Sequence, residues 1–113
     1  MKYEEPKSTS KAEAEHAFAT NDLYKLREAL VAVALSEEDW RWVQERCLEF
    51  TSHEDFTVRA IAATCLGHVA RIHRQIDLDR VMPRLTLLQK DPETAIYAED
   101  AISDVEMFVK RAP

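Results

Sequence analysis

Apolar residues recur at helical spacing along nearly the whole chain. They fall at Leu23, Leu26, Leu30, Val33 and Ala34, at Trp40, Val43, Cys47 and Phe50, and at Val58, Ala62, Cys65, Leu66, Val69 and Ile72. This is the i, i+3, i+4 pattern of a stripe that one helix face buries. Shorter stripes follow at Val81, Leu85 and Leu88, and at Ala98, Ala101, Ile102, Val105, Phe108 and Val109. Most are preceded by a residue that can satisfy the free amides of a first turn. Ser10 with Glu13 three positions on makes a capping box, Asn21-Asp22 and Asp55 are cap signals, and Ser36 is followed by Glu37, Glu38 and Asp39. Asp77 opens the fifth segment, and Asp91-Pro92 suits a helix start because proline needs no amide there. Six helices are therefore predicted: a short one from Ser10, then 22–35, 37–51, 55–72, 78–89 and 92–110. Pro83 is expected to bend the fifth or delay its start. Residues 1–9 are polar, with Pro6 and no apolar period, and are expected to be a flexible lead-in to a single domain over 10–113.

Laying Asp55 on Asp91 superposes Val58 on Thr94, Ala62 on Ala98, Val69 on Val105 and Ile72 on Phe108, a period of about 36 residues. A fainter copy begins at Asp22, where Leu-Arg stands for Val-Arg. Periods of this size mark stacked helix hairpins, each exposing an apolar face that only its neighbour covers. The run Asp55, Val58, Arg59, Ala62, Leu66, Gly67 resembles a HEAT repeat, and the resemblance extends over residues 22–110. The copy at 91–108 keeps Asp91 and Ala98 but has Ala95 in place of the Arg and Ser103 in place of the Gly. The resemblance implies an all-α fold, a short right-handed α-solenoid of about three helix hairpins. Its second helices would line a concave surface for a partner, and Arg59 would pair with an acidic turn residue, Asp55 or Asp91.

Composition narrows the function classes. The chain carries 21 acidic against 15 basic residues, a formal net charge of −6, which opposes phosphate-rich surfaces and favours a basic protein partner. Arg59, Arg71, Arg74, Arg80 and Arg84 cluster mid-sequence and are the feature a nucleic-acid-binding reading would rest on. No apolar run reaches the roughly 18 residues of a membrane span, and no signal-like run opens the chain, so a cytosolic protein without a membrane partner is expected. Cys47 and Cys65 read as reduced core residues. His53, His68 and His73 do not converge with Cys65 into a ligand set, so no metal and no cofactor is expected. One glycine leaves no phosphate-binding loop, and Asp100 with Asp104 at i, i+4 is too common on exposed helices to mark catalysis. A non-enzymatic protein is expected.

The candidate site lies on the flank of the last stripe. Glu93, Tyr97, Asp100 and Asp104 share one side of the last helix, and one period back the same side carries Thr57, Ile61, Thr64 and His68. The first copy offers Tyr24, Glu28 and Val31. Aromatic and aliphatic anchors beside carboxylates suit a basic protein, whereas the plain reading is a solvated helix face. Trp40 shares a stripe with Val43 and Cys47, which leaves Trp42 as either an exposed anchor or a residue packed on a neighbouring helix. Small acidic helical-repeat proteins also resemble bacterial immunity proteins, including those of contact-dependent inhibition, a likeness of size, charge and architecture. It implies binding a delivered toxin over its active cleft. A regulatory or assembly adaptor of HEAT type and a nucleic-acid-binding repeat protein are the alternatives.

Overall fold

The computed structural model describes residues 9–110, which form six helices and no strand: α1 Lys11–Phe18, α2 Leu23–Ser36, α3 Trp40–Phe50, α4 Phe56–His73, α5 Leu78–Gln89 and α6 Ala95–Phe108. Residues 1–8 of the expected lead-in over 1–9 and the last three residues of the expected domain lie outside the described residues. Three caps stand where the sequence placed them. Ser10 Oγ accepts from the Glu13 amide at 3.1 Å, Asp22 Oδ1 from Lys25 at 3.1 Å, and Asp55 Oδ1 from Thr57 at 2.8 Å.

Successive helices pack as the pairs α1/α2, α3/α4 and α5/α6, and α2, α4 and α6 lie side by side with α4 in the middle. Helix α4 is buried almost all round, through Val58, Ala60, Ala62, Ala63, Cys65, Leu66, Gly67, Val69 and Ala70. Its small residues follow from that position, because α2, α3 and α6 all press on it and only short side chains let three helices approach one axis. The α4–α6 contact is close at Gly67. A Cβ there would lie 2.8 Å from Asp104 Oδ2 and 3.2 Å from Ala101 Cα. Three of the four equivalences drawn from the repeat fall at buried positions in both copies: Val58 and Thr94, Ala62 and Ala98, Val69 and Val105.

Polar staples join the pairs. Arg59 donates to the carbonyls of His53 and Glu54, both at 2.8 Å, and lies 3.7 Å from Asp91, so the turn before α4 is linked to the turn before α6. Of the two partners expected for Arg59, the structure selects Asp91. Gln44, buried on α3, accepts from the Asp77 amide at 2.7 Å, and Arg84 of α5 donates to Thr51 at the end of α3. A buried amide or hydroxyl is tolerated only with such partners.

Several expectations are corrected. Helix α3 starts at Trp40, not 37, because Asp39 is its cap and accepts from the Trp42 amide at 3.2 Å. Ser36 closes α2, donating to Ala32 O at 2.6 Å. Helix α6 starts at Ala95, not 92. Asp91 Oδ1 takes the Glu93 amide in a tight turn, and Thr94, fully buried, donates to Leu88 O at 2.7 Å. Ile72, in the last turn of α4, is 41% exposed rather than core. Pro83 sits inside α5 without delaying its start.

Candidate functional site

The half-buried stripe of α4 forms the floor of a trough. Thr57, Ile61, Thr64 and His68 are each partly accessible while the rest of the helix between Val58 and Ala70 is mostly closed. The α2 wall comes to this floor at two points. Arg27 donates to Thr57 Oγ1 at 2.9 Å. Farther along, Ile61 shares a groove of about 990 Å³ with Tyr24, Glu28, Val31 and Leu35, and the α1 residues Glu13 and Ala17 close its other side. Tyr24 is 66% exposed, so the groove has an aromatic lip and an aliphatic floor.

The α6 wall is acidic. From Asp91 to Val109 the acids are Asp91, Glu93, Glu99, Asp100, Asp104 and Glu106, and no lysine or arginine intervenes. Tyr97 and Asp100 are exposed, as are Ile96 and Met107, and Asp104 is half-buried against α4 at Gly67. Glu93 belongs to the turn before α6 rather than to the helix. At the floor, Arg71 donates to His68 Nδ1 at 3.0 Å. A guanidinium can only donate, so Nδ1 accepts and the proton of the neutral ring is on Nε2. Burial lowers the His68 pKa and the Arg71 charge lowers it further, against a smaller opposing pull from Asp104. His68 is therefore a neutral donor facing an acidic wall.

Trp42 stands elsewhere. Its ring packs against Phe18 of α1 with centroids 6.4 Å apart, and Lys11 lies 5.5 Å over it while pairing with Asp39 at 2.6 Å. Of the two expectations for Trp42, packing on a neighbouring helix is the one that holds. The structure thus brings Ile61, Thr64, His68 and Asp104 to one surface, has Tyr97 and Asp100 exposed on the same helix as Asp104, and leaves Trp42 in the α1/α3 contact.

A second groove, of about 720 Å³, was not legible in the sequence. It opens between the starts of α3 and α5 and the ends of α4 and α6, lined by Trp40, Leu78, Met82 and Val109 with Arg41, Arg74 and Lys110. Arg74 terminates α4 in the left-handed region (φ 56°, ψ 22°), a place where glycine is the ordinary choice. No glycine signals that turn in the sequence.

Elsewhere, Cys47 and Cys65 are free and fully buried next to each other, and their contact with burial pushes the Cys47 thiol pKa well up. Among the described residues no group of three His, Cys, Asp or Glu side chains could hold a metal ion, and no helix is long and apolar enough to cross a membrane.

No protein-family model matches the sequence, and no curated protein matches it. Among solved structures it matches a chain of the crystal structure of a CDI (contact-dependent inhibition) complex from Cupriavidus taiwanensis, at 31% identity and a TM-score of 0.82. The match covers 96% of this chain and 97% of that one. At that identity over nearly the whole of both chains, this protein belongs to the same family as that component of the CDI complex.

Proposed function

We propose that the protein is the immunity member of a toxin–immunity pair and that it neutralises a cognate toxin by covering its active cleft, with no chemistry of its own. The observation that carries this reading is the full-length kinship with a component of a CDI complex. The distribution of charge supports the immunity role. Helix α6 presents acids without an intervening base, beside the exposed anchors Tyr97, Ile96 and Met107, which suits a basic cleft that apolar burial holds and opposite charge steers. Glu93, Asp100 and Asp104 would then stand where an anionic substrate stands in the free toxin. The floor residues Ile61, Thr64 and His68 would receive whatever element of the toxin projects between α2 and α6. The three helix pairs read as a short right-handed solenoid of HEAT type, acting in the cytosol. A basic toxin domain is the partner that this surface fits, and nucleic acid is disfavoured by the acidic wall.

The test is co-expression of the toxin domain encoded beside this gene, with and without the protein. Growth restored by the protein, and a stable complex on size-exclusion chromatography, are the expected results. A folded protein that neither binds that domain nor restores growth overturns the reading.

A further inference from the structure

The groove at the junction of α3, α4, α5 and α6 shares no residue with the trough, and its charge is opposite to that of the chain as a whole. Arg41, Arg74 and Lys110 line it, against the single carboxylate of Asp79. Two helices begin there and two end there, so their dipoles largely oppose one another and the positive field comes from side chains. The nearby cation Arg80 is taken by Glu45, and the Asp39 carboxylate is held by Lys11. Among the described residues Arg41, Arg74 and Lys110 take part in no ion pair; Arg41 lies over the Trp40 ring at 4.6 Å and Arg74 over Phe108 at 5.4 Å. A guanidinium over an aromatic ring is not neutralised by it and still has N–H groups to offer a carboxylate.

Apart from Gln75 the rest of the groove is apolar, with Trp40, Leu78, Met82 and Val109 partly buried and Ile76 closed beneath. Three cations above an apolar floor match a chain in which acids alternate with apolar side chains. A nucleic-acid strand would need a longer cationic track and several stacking rings, and the net charge of −6 repels a polyanion more than a short acidic segment. We propose that this groove binds an acidic peptide segment of a protein partner, its carboxylates on Arg41, Arg74 and Lys110 and its apolar side chains against Leu78 and Met82. The site stands independently of the toxin-binding reading.

The probe is a synthetic pool of short peptides in which Glu or Asp alternates with Leu, Phe or Trp, passed over the immobilised full chain. A matched pool carries Lys or Arg in place of the acids, and a single-stranded RNA oligonucleotide forms a third arm. Retained acidic peptides, with affinity falling about tenfold or more in Arg41→Glu and in Arg74→Gly, are the expected outcome. Arg74→Gly suits the left-handed backbone at this position, so circular dichroism should show the fold intact while binding is lost. Lys90→Glu, an exposed position outside both grooves, should bind the acidic peptides as the unaltered chain does. Retention of neither pool, equal retention of both, stronger binding of RNA, or affinity unchanged by both groove substitutions overturns the proposal.

Discussion

Helices α4 and α6 are two copies of one packing pattern used for different ends. At Val58 and Thr94, Ala62 and Ala98, Val69 and Val105 they bury the same positions. Their flanks diverge. Helix α4 has Thr57, Ile61, Thr64 and His68 where the α6 copy has Glu93, Tyr97, Asp100 and Asp104. The middle helix is enclosed by three neighbours, and its one accessible stripe is a floor. The edge helix leaves one side to solvent and fills it with acids and exposed apolar side chains. Burial constrains a residue by volume, whereas exposure leaves it available for recognition, so the two copies separate what holds the fold from what meets a partner.

The sharpest way to break this division is to empty the core of α4. Leu66 is fully buried, so Leu66→Ala should lower unfolding free energy by about 2–5 kcal/mol, read by urea denaturation. Equal loss on truncating the exposed Met107 would erase the distinction. On the α6 side, Tyr97→Ala with Asp100→Lys should weaken the proposed toxin complex by about 2 kcal/mol or more, roughly thirtyfold by calorimetry, with the melting temperature held. Unchanged affinity in a folded protein would return these residues to the role of a solvated face. The seam between the two helices can be probed at Gly67, where Gly67→Leu should cost about 1–3 kcal/mol by forcing α4 and α6 apart. Gly67→Ala should be milder, since Asp104 can swing aside and alanine favours the helix by about 1 kcal/mol. The smallest effect belongs to His68. Its folded pKa is depressed, so below an unfolded value of about 6.5 the unfolded chain takes the proton first and stability falls with falling pH. His68→Gln should flatten that part of the stability profile, and an unchanged slope would mean that the ring is not held neutral.

Much of this was readable from residue order alone, for identifiable reasons. Asp22 and Asp55 cap helices because each carboxylate stands just ahead of a first turn whose amides have no partner within the helix, and the apolar stripes of α2 and α4 match the 3.6-residue period without ambiguity. Ser36 misled because a hydroxyl at the end of one helix can bond backward to Ala32 as easily as forward, and Asp39 stood closer to the turn that Trp40 begins. Pro92 misled because the buried hydroxyl of Thr94, tied to Leu88, sets where the regular helix can start. The α4 floor and the acidic α6 side followed from periodicity, since both lie within single helices. The groove around Arg74 did not, because it is assembled from the ends of four helices and hinges on a left-handed residue that no glycine announces.

Arg59 reaches two carbonyls of the turn ahead of its own helix and, across the stack, the aspartate of the next turn. Layered helix pairs can in principle peel away from one end, each opening at its own temperature. A bracket between consecutive corners opposes that fraying: detaching the terminal pair must also strip the guanidinium from Asp91. Together with the packing of α6 on α4, the bracket favours melting in one step, so the acidic edge helix proposed to meet a toxin should not come away while the remainder stays folded.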